Sequence, residues 1–406
     1  MSNILQLFRG RTLPIVHLRF GSMRSAGFSC LMAAVSIGLS GCSSQTFRTV
    51  DMTPPTQLST AIPEPQLLDI GVAVFDPNVP EEYDERISQM VNEEVRRAES
   101  HFIPYTLKSL LESTGNWGAV RVVPSRTNAV DVTVSGEILT SHGERLALSV
   151  RAEDARGIVW FEKTYETLAS KYAYDDALPP GVDPFQDLYT QIANDMAAHF
   201  AGLSADDRRA IRLAAEMRFA RDLAPVAYRD YVEESPSGQA VVKRLPARND
   251  PTMKRVRKVR DREFMFIDAL DGYYAEYRRR VLPIYQVWRR ASYGEVIARL
   301  KLGWQRRERG IAGTLSIVGG VLGGPAGWSA IGAGADMLKK RVEMADEAGF
   351  HAEALREVSD SMEQEVAPHT LTLDNGTVRL SGTVDKQFDR FREIIRKAYV
   401  AEYQGL

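Results

Sequence analysis

Apolar residues first alternate with polar or small ones near residue 70, where Ile70, Val72 and Val74 interleave with Asp69, Gly71 and Ala73. Period two predicts a half-buried strand, and Asp76-Pro77 ends it. The period then lengthens. Tyr83, Ile87, Met90, Val91, Val95, Ala98 and Phe102 fall along one side of a helix, Pro104 restarts it, and Tyr105, Leu107, Leu110 and Leu111 carry it to Gly115. Four strands follow over 119–123, 131–139, 145–154 and 158–165, with turns at 141–143 and 155–157. A helix opened and capped by Asp183-Pro184 buries Phe185, Leu188, Tyr189, Ile192, Ala193, Met196 and Phe200. This order predicts an α+β sandwich over residues 67–202, its helices on one face of a mixed sheet.

Residues 203–310 read as helical. Ser204 starts one helix that runs to Leu223, before Pro225, and the polar stretch 233–238 reads as a loop or exposed hairpin. From Arg260, Phe264, Ile267, Leu270, Tyr274, Tyr277, Val281 and Leu282 line one side of a second helix. Pro283 is expected to kink it, and Ile284, Val287, Trp288, Tyr293, Val296, Ile297 and Leu300 continue. Residues 311–338 are expected to form a glycine-rich apolar hairpin, and 339–406 a small αββα unit. In that unit Asn375-Gly376 turns a hairpin flanked by Leu371, Leu373, Val378 and Leu380. The last helix shows Phe388, Phe391, Ile394, Ile395, Ala398 and Tyr399 on one face.

Charge changes the picture in two places. Between Lys254 and Gly310 the chain carries sixteen basic and seven acidic side chains. Arg278, Arg279, Arg280, Arg289, Arg290, Arg306 and Arg307 are therefore candidate contacts to anionic headgroups, and solvated helix faces paired with Asp268, Asp271 and Glu276 are the plainer reading. By contrast, 311–335 holds no charged residue. Gly319, Gly323 and Gly327 recur every fourth position and Gly320 and Gly324 add a second pair, a stripe without Cβ atoms that lets helix backbones touch. Gly324-Pro325 interrupts it, so a hairpin packed internally or against copies of itself, a kinked membrane-inserted helix and a glycine linker all fit.

The uncharged run 26–38 leads into Leu39-Ser40-Gly41-Cys42, followed by Ser43 and Ser44. This resembles the lipobox of bacterial lipoproteins. The resemblance implies cleavage after Gly41, acylation of Cys42, and a membrane partner held through that lipid; Ser43 implies the outer membrane, with the bulk in the periplasm. Met23-Arg24 supplies a start and a positive n-region at the usual distance, so translation is expected to begin at Met23, leaving 1–22 as a spurious extension and 23–41 as signal peptide. Residues 42–66, rich in Ser, Thr, Gln and Pro, read as a tether too polar to order itself. The two cysteines are Cys30, lost with the signal, and Cys42, so no disulfide and no thiol ligand set is expected in the mature chain.

The layout of 67–202 resembles the periplasmic α/β domains of the curli secretion channel lipoprotein and the amino-terminal domain of TolB. The hairpin around Gly376 and Leu380-Ser381-Gly382, set between two helices, is similar to the centre of a BON domain, which implies an envelope module that associates with phospholipid surfaces. The closing strand of that family is missing.

Catalytic patterns are absent from the sequence: no Gly-x-Ser-x-Gly, no His-Glu-x-x-His, and no phosphate loop among the glycines near Gly320. Histidines 101, 142, 199, 351 and 369 are not spaced as metal ligands. The net charge of -2 gives no global reason to expect nucleic acid; the basic stretch 254–310 with its interleaved Tyr and Trp fits such a ligand, but anionic lipid is the expected partner of an exported chain, and no cofactor, metal or small-molecule substrate is expected. The sequence is thus read as a non-enzymatic, lipid-anchored envelope lipoprotein, a structural or assembly factor that forms homo-oligomers or binds envelope partners. A subunit of an outer-membrane secretion or transport pore is the alternative.

Overall fold

The computed structural model describes residues 53–59, 62–124, 127–174, 182–316, 346–362, 368–373 and 376–404. Five strands form a mixed sheet in the order β2-β1-β3-β4-β5. β1 (Ile70–Ala73) runs parallel to both β2 (Val120–Val123) and β3 (Val132–Ser141). β3, β4 (Arg145–Asp154) and β5 (Val159–Leu168) then meander antiparallel. The protein is α+β.

The alternation in β1 does not mark a half-buried strand: all four residues are buried. Ile70 and Val72 enter the core under the helices, while on the other side Gly71 meets Val123 and Val130 so closely that a Cβ would crowd the Val130 methyls. A central strand covered on both faces gives the same small-and-large pattern as an amphipathic one. The outer face of β3 to β5 is polar, with Arg151 paired to Glu153 at 2.7 Å and to Glu162 at 2.6 Å.

The first helical stretch is two helices. Met90 in the left-handed conformation (φ 57°) ends α1 (Tyr83–Gln89), and the Asn92 side chain accepts the Val95 N–H to cap α2 (Glu93–Ser113). Pro104 does not restart the helix; it lies inside α2. The Ser100 carbonyl that its missing N–H leaves free accepts instead from Phe75 N at 3.0 Å, which removes most of the cost of an internal proline. α3 (Gln186–Gly202) packs beside α2. α4 (Ala205–Leu223) begins with a reciprocal Ser204/Asp207 capping box. After the single turn α5 (Pro225–Tyr228), β6 (Val232–Glu234) and β7 (Ala240–Val242) form the hairpin.

α6 (Pro251–Ser316) is one helix of 66 residues, about 100 Å at 1.5 Å per residue. It starts earlier than Arg260 because Asp250 Oδ1 accepts the Thr252 and Met253 N–H groups, and it continues through Pro283 and past residue 310. α7 spans 346–362, and β8 (His369–Leu373), β9 (Gly376–Leu380) and α8 (Val384–Gln404) close the chain.

Two cores result, and α6 belongs to both. Tyr277, Val281, Tyr285 and Trp288 join the sheet, α2 and α3, together with Ala352 and Leu355 of α7. Val256, Ile267 and Leu270 join α4, with Phe388, Phe391 and Ile395 of α8. The helices of the αββα unit therefore bury in different cores, and 67–202 shares its core with 203–310. The expected tether is also partly docked: Thr56 N donates to Asn194 Oδ1 (2.7 Å), Leu58 N to Asn116 Oδ1 (2.9 Å), and Leu58 and Ile62 lie on the first core. Backbone groups paired by asparagine side chains, one of them the buried Asn116, offset the ordering cost that the composition alone implied.

Gly143, in the β3–β4 turn, abuts the backbone of Arg289 and Tyr293 in α6, which a Cβ would overlap. Gly143→Ala is expected to destabilise the protein by about 1–3 kcal/mol, the usual range for forced overpacking, read from urea unfolding midpoints.

Candidate functional site

The densest polar cluster lies where α2, the β3–β4 turn, the loop before α3 and α6 converge. Arg96 and Glu99 sit one turn apart on the buried face of α2. The Arg96 guanidinium donates to the carbonyls of Ile138, Leu139 (3.1 Å) and Pro77 (3.4 Å), satisfying oxygens at the irregularity in β3 between Ile138 and Thr140. Glu99 accepts from the Ser141 and Tyr285 hydroxyls. Burial pushes its carboxyl above the usual carboxylate range, with Arg96 acting in the opposite direction.

Arg289 of α6 inserts beside them. Its Nη1 donates to Asp183 Oδ2 at 2.8 Å, and its guanidinium lies 3.9 Å from the Tyr285 ring centre and 4.9 Å from that of Phe185. Burial opposes its charge, but Asp183 and the hydroxyls of Tyr285, Tyr189 and Tyr174 hold it firmly protonated. Asp183 Oδ1 meanwhile accepts the Phe185 N–H at 2.9 Å. The residue expected to cap α3 thus serves as counter-ion to another helix, and α3 begins at Gln186. Gly143 N donates to Ser292 Oγ at 3.1 Å, and the Tyr174 hydroxyl to Gly143 O.

Chemically, this arrangement holds helices together. Glu99 and Arg289 are 0% and 1% exposed, so no reactant reaches them. A small cavity of about 70 Å³ lies elsewhere, lined by Thr127, Asn128, Thr133, Glu153 and Arg218, and an apolar groove of about 360 Å³ runs between Leu213 of α4, Ile158 and Val241. Among the described residues no group of His, Asp or Glu is placed to hold a metal ion.

Arg289 is therefore not a surface contact, which corrects the sequence reading: at helical spacing it falls on the side of Tyr285 and Trp288, which faces the core. Arg278 is half-buried with its guanidinium 5.7 Å from the Phe102 ring centre. Arg279 and Arg280 are exposed and share Glu276, and Arg290 is exposed. Trp117 and Trp160 pack inside, against Phe200 (5.0 Å) and His199 (4.7 Å). Cys42, its cleavage residues Leu39, Ser40 and Gly41, the glycines Gly319, Gly320, Gly323, Gly324 and Gly327, and the side chains of Arg306 and Arg307 lie outside the described residues. Sequence reasoning missed Arg96, Glu99 and Asp183. The signal was present: Arg96 and Glu99 interrupt the apolar face set by Val95, Ala98 and Phe102. No family model matches the chain, and no curated protein matches it.

Asp183→Ala leaves a buried guanidinium without its counter-ion and is expected to cost about 3–5 kcal/mol in urea unfolding, part of it recovered when Arg289→Met is added. A second expectation concerns pH. Burial, aided by Arg145 and Arg96, holds His142 down to about 4, and its Nδ1 accepts the Glu144 and Arg145 N–H groups as a neutral imidazole does. Burial pushes Asp131 up to about 6. Between pH 4 and 6 the unfolded His142 binds more protons than the folded one, so its contribution to stability rises with pH. For Asp131 the folded state binds more, so its contribution falls. The two oppose one another, each on the order of 2–3 kcal/mol. Relative to wild type, Asp131→Asn should make stability climb more steeply from pH 4 to 6, and His142→Asn should make it decline.

Proposed function

We propose that this chain is a membrane-tethered envelope lipoprotein, acylated at Cys42 after cleavage behind Leu39-Ser40-Gly41. It acts without catalysis at the outer membrane, with its bulk in the periplasm, as a structural or assembly factor that associates with itself or with envelope partners. The observation that carries the second half is the reach of α6. Val296 is the last buried residue described on it, Leu300 and Lys301 are exposed, and the helical backbone continues to Ser316, about 30 Å beyond Val296. The helix thereby leads from the two cores into the uncharged segment 311–335 with its glycine stripe, whose composition suits close contact between apolar helices. No described helix is itself long and apolar enough to cross a membrane.

The enclosure of the polar junction supports a mechanical role for it. With Arg289 and Glu99 sealed from solvent, the junction fixes α6 to the sheet, which suits a rigid arm better than a moving active-site element. Two lipid chains at Cys42 make such attachment durable where one does not.

Radiolabelled fatty acid is expected to enter the wild-type chain and not the Cys42→Ala variant, which should leave the membrane fraction. An unlabelled wild type, or a variant that still sediments, overturns the reading. The mass of the detergent-solubilised protein separates its two forms: a small oligomer fits an assembly factor, and a large closed ring fits the pore alternative.

A further inference from the structure

α6 and α8 lie antiparallel. Phe391 stacks on Phe266 at 4.4 Å, Arg392 Nε lies 3.8 Å from a Glu263 oxygen, and Asp385 acts electrostatically on Tyr274. Counting back from Phe266 by four and eleven residues places Arg262 and Arg255 on the same ridge of α6, flanking α8, with Lys258 beside them. Across the seam, Arg392 and Arg396 are one turn apart on α8, and both act on the Glu263 carboxyl. Five cations thus line two antiparallel helices.

The pairing of these charges is unusual for this protein. Arg151, Arg257, Arg279 and Arg280 each sit against a carboxylate. Arg255, Lys258, Arg262 and Arg396 make no ion pair among the described residues, and all but Arg262 are exposed. Glu263, the carboxylate beneath them, is 4% exposed, engaged by Arg392 and by the Thr127 hydroxyl at 2.5 Å, and held above the usual carboxylate range by burial. Glu393 is engaged by Lys397 and Arg390. Asp385 and Asp389 lie at least three residues further back along α8, toward Tyr274.

We infer that this seam docks on the phosphate groups of an anionic bilayer. Guanidinium forks pair with phosphate oxygens in two-point contacts, and three of the four unpaired cations are arginines. The choice of a bilayer as the phosphate source rests on the tether reading above. Fourteen chain steps lead from Cys42 to Thr56, whose backbone N–H docks on Asn194, a contour of at most about 50 Å. The seam lies at the amino-terminal part of α6, away from the basic positions 278–307 that the sequence singled out.

The test uses the full chain carrying Cys42→Ala, so that its result does not depend on acylation. This protein should co-sediment with vesicles rich in phosphatidylglycerol and not with phosphatidylcholine vesicles, and raised salt should release it. Each cation near such a surface contributes about fivefold, or about 1 kcal/mol, so Arg255→Glu/Arg262→Glu/Arg396→Glu should weaken binding at least tenfold. The corresponding Arg→Gln triple should weaken it in the same direction by less, and Arg279→Glu/Arg280→Glu should leave it within about twofold. Circular dichroism checks that each variant is folded. Equal binding to both vesicle types, full binding by the folded triple variants, or tighter binding to an RNA oligonucleotide than to the anionic vesicles overturns the inference. If Cys42 takes no label and the vesicle result still holds, the tether reading fails and the seam stands.

Discussion

A guanidinium cannot leave water alone, and the architecture around α6 depends on how Arg289 is matched. Asp183 supplies charge, Tyr285 and Phe185 supply ring faces, and Gly143 brings a β-turn against the same helical turn. Such a buried pair is a poor source of net stability, because desolvation consumes most of its attraction. Its effect is positional. Only one placement of α6 along the sheet seats Arg289 on Asp183 while Gly143 faces Arg289 and Tyr285 reaches Glu99. An apolar interface of the same size would tolerate neighbouring registers far better.

That fixed register gives the helix its second role. By running through both cores, α6 ties the sheet, α2 and α3 to α4 and α8. Units that look separable along the chain are therefore not separable in space. The same helix sets the charge distribution. Residues turned toward α4 and β2 acquire partners, such as Arg257 with Glu216 and Asp268 with Arg121. On the ridge beside α8, Arg255, Lys258 and Arg262 make no ion pair among the described residues.

Burial of ionisable groups also shapes how stability responds to acid. His142 and Asp131 lie at opposite ends of β3, one forced toward neutrality from above and the other from below. Their opposed slopes leave a wild-type profile that conceals two large contributions.

Much of the fold was legible locally. Strand positions, the helix start at Ser204 and the exposed polar connection near 233–238 follow from periodicity and turn chemistry, which depend on neighbours in sequence. The candidate site was legible only in part. Arg96 and Glu99 stood out on an apolar helix face, but nothing near Asp183 in sequence shows that its partner lies 106 residues away. The sequence by itself determined the elements, the uncharged glycine-rich stretch and the resemblance at Cys42. The tertiary structure alone decided that β1 is covered on both sides, that Pro104 stays within a helix because Phe75 takes the freed carbonyl, and which arginines are buried, paired or free. Periodicity reports how a segment divides its own faces. What covers each face, and whether a charge there finds its opposite, is set by chain distant in sequence.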